Sequence, residues 1–246
     1  MPDNSDIRYA RQHSLPQIGS HGQARLAKAR VFIVGAGGLG NPAGMYLASA
    51  GVGHIVVNDF DKVDESNLPR QILFRDSDVG FPKAEIMALR LIDLNHNLTA
   101  VGISRRLDQN NLAEEIGFAD VVLDCSDNFQ TRWALNQICY DTETPLVSGA
   151  AIRFEGQVTM FPFSRKDSPC YRCLYAEDDE NLLDCAGQGV LAPVAGTVGT
   201  MMATEAIKLI AGIESDLAGK LWVYDGLAGT SRLVGIKPLS GCPVCG

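Results

Sequence analysis

Histidine is scarce in this chain of 246 residues, and an excess of positive charge is missing altogether. His13, His21, His54 and His96 are scattered, with no HxxH or HExxH spacing, so nothing points to a histidine-ligated catalytic metal. The net charge of -8 argues against a nucleic-acid binder or a membrane-surface protein. No low-complexity segment and no internal repeat interrupts the chain. The opening Met1-Pro-Asp-Asn-Ser-Asp6 is acidic and polar and lacks the features of a signal peptide, so a cytoplasmic location is expected. Seven cysteines without such a signal indicate metal or thiol chemistry in a reducing compartment, not a disulfide framework.

A chain of this length could hold one large α/β domain or two small ones, and a hydrophobic content of 46% can fill such a core. Val31 to Val34 is a continuous apolar run, as expected for a strand buried on both faces of a parallel sheet. It leads into Gly35, Gly37 and Gly40, a GxGxxG spacing, and then into a helical stretch over residues 41–50. Such a turn lets a phosphate approach the backbone, and the helix start offers unpaired N–H groups to an anion. A second strand over residues 54–58 ends at Asp59, about where the fingerprint expects an acid for ribose hydroxyls. A nucleotide site follows; which nucleotide does not.

The polar loop after Asp59 carries Asn67 and Arg70 and leaves the carboxyl end of a strand, where open parallel sheets bind ligands. Pro82 suits the first turn of a helix running from about Ala84 to Leu94. Lys83 at that start opposes the macrodipole unless an anion shares the site. Strands over residues 98–103 and 119–124 follow, with helices over 108–117 and about 130–140. Asp108 is a candidate N-cap, and so is Asp127, which as a phosphate-facing carboxylate would instead require Mg²⁺. Arg8 and Arg11, from spacing alone, read as a solvated helix face, and residues 20–29 read as a short amphipathic helix leading into the first strand.

Beyond these, Pro145–Ser148 and Arg153–Phe161 read as strands, the second antiparallel by its alternation. Cys170-Tyr-Arg-Cys173 is answered by Cys242-Pro-Val-Cys245, four thiolates with the spacing of a tetrahedral structural Zn²⁺ site that would staple the C-terminus to the body. Cys125 and Cys139 read as small apolar core residues. Cys185 sits in a Gly-rich loop beside acids that would raise its pKa, and buried and accessible thiol are equally open. The apolar stretch from Val190 to Ala211 is long enough to cross a bilayer. Glu205 and Lys208 interrupt it, and a helix packed closely in a core or dimer interface is expected instead. Late strands are expected over residues 220–225 and 230–237.

Taken in order, Arg8-Tyr-Ala-Arg11-Gln, Gly35–Gly40, Asp59-Phe-Asp61, Ser66-Asn67-Leu-Pro-Arg70-Gln, Pro82-Lys83, Asp124-Cys-Ser-Asp127-Asn128 and the two CxxC pairs resemble the ubiquitin-activating-type adenylyltransferases of the MoeB/ThiF/HesA group. That resemblance covers nearly the whole length. It implies a single domain over residues 1–246, with a Rossmann-like mixed sheet, a nucleotide-binding half (30–148) and a carrier-binding, zinc-stapled half (149–246). The nucleotide it implies is ATP, without a Walker-A GK[ST]. Asp59 would hold the ribose, Gly38, Asn67, Arg70 and Lys83 the phosphates, Asp127 the Mg²⁺, and Asn128 would also contact the nucleotide. Arg11 would arrive from the other subunit of a homodimer. The implied substrate is a ubiquitin-like sulfur carrier ending in Gly-Gly, later served by a persulfide donor, with Cys185 a candidate for the sulfur-transfer step. A nicotinamide-dependent oxidoreductase and a non-catalytic binding module of the same fold are the alternatives.

Overall fold

The computed structural model describes residues 7–163, 168–175 and 189–246. Cys185 and the acidic segment before it lie outside them. A short helix α1 (Ala10–His13) and a longer one, α2 (Gly19–Leu26), lead into an eight-stranded sheet. Its elements run β1 (Arg30–Val34), α3 (Gly40–Ala50), β2 (His54–Asn58), α4 (Lys83–Leu94), β3 (Thr99–Ile103), α5 (Gln109–Gly117), β4 (Val121–Asp124) and α6 (Phe129–Asp141). There follow β5 (Leu146–Ile152), β6 (Glu155–Phe161), α7 (Tyr171–Leu174), α8 (Ala192–Ala211), β7 (Lys220–Asp225) and β8 (Thr230–Gly235). Strand order is β3-β2-β1-β4-β5-β6-β7-β8. The first five strands are parallel and the last three join antiparallel.

The apolar run of β1 has two partners to bury against, which is why it does not alternate. Val31 and Ile33 face a cluster with Leu26, Leu47, Met87, Leu91 and Met202, under α2, α3, α4 and α8. Phe32 and Val34 face the other layer, with Ile116, Leu135, Ile138, Phe161 and Tyr171. Burying one large side chain of this kind stabilises by roughly 1.5–3 kcal/mol, so β1 anchors both layers at once.

Three boundaries differ from expectation for identifiable reasons. The helix expected over residues 20–29 ends at Leu26, because the carbonyls of Leu26 and Ala29 accept from Gly53 and His54 as β2 enters the sheet. Pro82 is the residue before α4, with extended backbone, and Lys83 is the first helical one. The fifth strand runs past Ser148 to Ile152, although Gly and Ala are poor strand formers. Small size is what this segment supplies: a Cβ on Gly149 would lie 2.3 Å from Met202 Sδ on α8. Since β4 ends opposite Ser148, residues 149–152 and their partners Glu155–Val158 on β6 stand beyond the level where β4 stops.

By length and composition α8 could cross a bilayer, yet half of it is buried within the protein. It packs on α2, α3, β5 and β6. Glu205, almost fully buried, is paired with Lys208 at 2.8 Å and with the Ser215 hydroxyl.

Candidate nucleotide site and cysteine cluster

Pairing of Val34 with both Asn58 and Asp124 puts the carboxyl ends of β1, β2 and β4 at one level. Strand order reverses direction around β1, which makes this edge the topological switch point of the sheet. The glycine turn leaves from it. Gly35 has φ +102°, and a Cβ there would meet the Cys125 carbonyl at 2.6 Å; one on Gly40 would meet the Gly35 carbonyl at 2.0 Å. Both positions therefore exclude side chains, and the turn closes tightly over the sheet edge.

Asp59 reaches back into this turn. Its Oδ2 accepts from the Ala36 N–H at 2.7 Å and its Oδ1 from the Asp61 N–H at 2.8 Å. Burial pushes the Asp59 carboxyl above the usual carboxylate range, against the pull of those N–H groups and of Lys83. Lys83 is itself buried, and its Nζ lies 3.1 Å from Asp61 Oδ2. The anion that offsets the macrodipole at this helix start is thus Asp61, whose carboxylate is largely exposed.

The loop bearing Asn67 and Arg70 lies over the turn. A Cβ on Gly38 would be 3.4 Å from Arg70 Cγ, and Arg70 Nη1 donates to the Ser66 carbonyl at 3.0 Å. Asn67 opens the turn that precedes Gln71, its carbonyl accepting from the N–H groups of Arg70 and Gln71. Buried Asn41 ties the two pieces together, donating to the Ala36 carbonyl at 2.9 Å and accepting from the Leu73 N–H at 3.0 Å. A lone asparagine in an otherwise apolar helix start was the available signal for this role.

On the other side, the helix cap is Asn128 and not Asp127: Asn128 Oδ1 accepts from the Thr131 N–H at 2.9 Å. Asp127 is exposed and free of capping duty. Asn128→Ala is expected to cost about 1 kcal/mol, seen as a lower denaturation midpoint. Below the loop, buried Asp124 accepts from the Ser126 and Ser148 hydroxyls at 2.6 and 2.8 Å. Arg132, also buried, lies 3.8 Å from Asp124 and donates to the Ser126 carbonyl. Sequence reasoning missed Arg132; a cation inside the apolar face of α6 was its only mark.

Gly38, Asp59, Asn67, Arg70 and Lys83 are therefore gathered at the edge from which the Asp127–Asn128 loop also leaves. Arg11 is not among them. It is exposed and lines a groove of about 420 Å³ with Arg8, Tyr46, Ser49, Thr200 and Thr204, at the far end of α3 from the glycine turn. Nothing is described for Cys185. Cys125 and Cys139 are buried, and burial lifts both thiols far above their ordinary value, in keeping with inert core positions.

The sulfurs of Cys170, Cys173, Cys242 and Cys245 lie within 4.8 Å of one another. Cys170 and Cys242 are 3.7 Å apart and Cys173 and Cys245 3.4 Å, too far for disulfides and close to the roughly 3.8 Å edge of a tetrahedron built on Zn–S bonds. Donors surround them: Leu239 N–H lies 3.3 Å from Cys173 Sγ, and Asn136, buried, holds an Nδ2 with no other partner while its Oδ1 accepts from the Tyr171 N–H. Burial raises Cys170 to about 11. Burial raises Cys242 too, but N–H groups of Cys245 and Val244, together with the Cys245 and Cys170 thiols, bring it down to about 7. The donor set fits Zn²⁺ closed on all four sides.

A profile of the ThiF family matches residues 9–244. The chain is 43% identical to the sulfur carrier protein ThiS adenylyltransferase of Escherichia coli strain K12, over 100% of this chain and 97% of that protein. It is 44% identical to the molybdopterin-synthase adenylyltransferase of Salmonella typhimurium strain LT2, over 100% and 98%. Among solved structures it is similar to E. coli MccB with ATP, with a TM-score of 0.85 at 24% identity, covering 100% of this chain and 75% of that one. This last likeness concerns the fold alone.

Proposed function

The chain belongs to the ThiF family, and from that premise we propose that it uses ATP to adenylate the C-terminal Gly-Gly carboxylate of a ubiquitin-like sulfur-carrier protein. The convergence of the glycine turn, Arg70 and Lys83 at the switch point of the sheet carries the reading. Relatives bearing a thiamine-type and a molybdopterin-type name are equally similar, so the proposal concerns the class of carrier and not one pathway.

The reaction brings two anions together. A carboxylate oxygen of the carrier attacks the α-phosphorus of ATP and forms the acyl–phosphate bond. The bond from that phosphorus to the bridging oxygen breaks, and pyrophosphate leaves with the electron pair. The carboxylate is ionised at neutral pH, so no general base is required. What the site must supply is orientation and positive charge. Asp59 holds the ribose, while Gly38, Asn67, Arg70 and Lys83 hold the phosphates. Asp127 would hold Mg²⁺, which when bound neutralises phosphate charge, and Asn128 beside it contacts the nucleotide. Arg11 completes the site from the second subunit of a homodimer, and Zn²⁺ on the four cysteines is structural. A Gly-Gly tail can enter a narrow channel without side-chain clashes. The terminal sulfur of a persulfide donor then attacks the acyl carbon and AMP leaves with the bonding pair; a second thiol, for which Cys185 is the residue proposed, attacks the donor sulfur of the acyl disulfide and frees the carrier thiocarboxylate.

ATP–pyrophosphate exchange tests this directly. Exchange is expected only when a carrier with an intact Gly-Gly carboxylate is present, and amidating that terminus should abolish it. Persistence of exchange with the amidated carrier, or none with any Gly-Gly-terminated carrier, overturns the reading.

A further inference from the structure

Gln71 follows Arg70 and is 3% exposed, yet among the described residues its Oε1 has no hydrogen-bond partner. Leaving a buried amide oxygen unpaired forfeits its hydration without replacing it, so the position calls for a reason. The orientation of the amide supplies one. Its Nε2 lies 3.9 Å from where a Cβ on Gly37 would be, so the donor end faces the glycine turn and the acceptor end faces protein. The backbone around it is held firmly: Gln71 N–H donates to the Asn67 carbonyl at 3.0 Å, Phe74 N–H donates to the Gln71 carbonyl at 3.0 Å, and Asn41 pins Leu73 to the turn. A rigid backbone thus presents a side-chain donor to the glycine turn that opens α3.

We propose that Gln71 is a nucleotide-contacting residue, whose Nε2 donates a hydrogen bond to the phosphate seated in the glycine turn, beside Arg70. The inference rests on the ATP-binding part of the proposed function. It assigns the pair Arg70–Gln71 two complementary tasks: the guanidinium supplies charge, and the amide supplies a fixed, neutral donor that fixes the phosphate's position without adding to the field.

Calorimetric titration of the full-length zinc-loaded protein with ATP, together with melting of the nucleotide-free protein, tests it. Gln71→Leu keeps the volume and removes the donor. ATP should bind on the order of tenfold to hundredfold more weakly, the worth of a hydrogen bond to a charged group. The melting temperature without nucleotide should hold or rise, because an orphaned buried oxygen has been removed. Unchanged ATP affinity in Gln71→Leu overturns the proposal, whatever the melting temperature does. If Gln71→Leu does not fold, Gln71→Glu decides: it is nearly isosteric, and its carboxylate should weaken ATP further than the leucine change would, whereas unchanged binding overturns the contact. Wild-type protein that fails to bind ATP would instead sink the reading of the site itself, so the two failures are distinguishable.

Discussion

Arg70→Ala is expected to cut carrier-dependent ATP–pyrophosphate exchange by about 10³-fold, some 4 kcal/mol of barrier, with little change in melting temperature. The large effect follows from what Arg70 lacks as much as from where it sits. Among the described residues its guanidinium makes one hydrogen bond, to the Ser66 carbonyl, and no buried acid there loses a partner when it is removed. Its stem lies against Gly38, which places the charge above the turn proposed to hold phosphate. Lys83 offers a contrast: it is buried against Asp61 and cannot be removed without exposing that pair. Arg70→Lys should recover only part of the rate, because an ammonium cannot engage two phosphate oxygens in a planar fork. A fully active Arg70→Ala protein would remove Arg70 from the chemistry.

Removing zinc is expected to lower the melting temperature by roughly 8–16 °C for a chain of this size, corresponding to about 4 kcal/mol. The metal would join Cys170 to Cys242 and Cys173 to Cys245, each pair 72 residues apart. Treated as a cross-link on the unfolded chain, a loop of that length accounts for about 4 kcal/mol by itself. Elemental analysis should find one zinc per chain, lost in Cys173→Ser, and chelator should lower the melting temperature of the wild type but not of the variant. Equal melting temperatures with and without chelator would mean that the four sulfurs are not a stabilising metal site.

Much of this architecture was readable from residue order. The strand–glycine–helix–strand succession, the acids at strand ends and the paired CxxC spacings are local patterns, and each came with a mechanism for being where it is. What escaped were residues whose role depends on a partner distant in sequence. Gly149-Ala-Ala has no strand propensity, and only the approach of α8 explains it. The cap of α6 could have been Asp127 or Asn128, since both side chains suit an N-cap; the backbone settled on Asn128. Asn41, Gln71 and Arg132 looked like ordinary polar residues because each works across 16 or more positions of chain, or against the turn itself.

The overhang of β5 has a consequence for whatever docks here. Residues 149–152 rise past the last rung shared with β4, and β6 starts from the top of that rise. At the usual advance per strand residue, the antiparallel half stands about 13 Å proud of the floor from which the site loops emerge. A visitor resting on that parapet would have to lower its reacting end across the drop, which takes about four outstretched residues. A protein folded compactly to its last residue would be held out of reach, however well its body fitted.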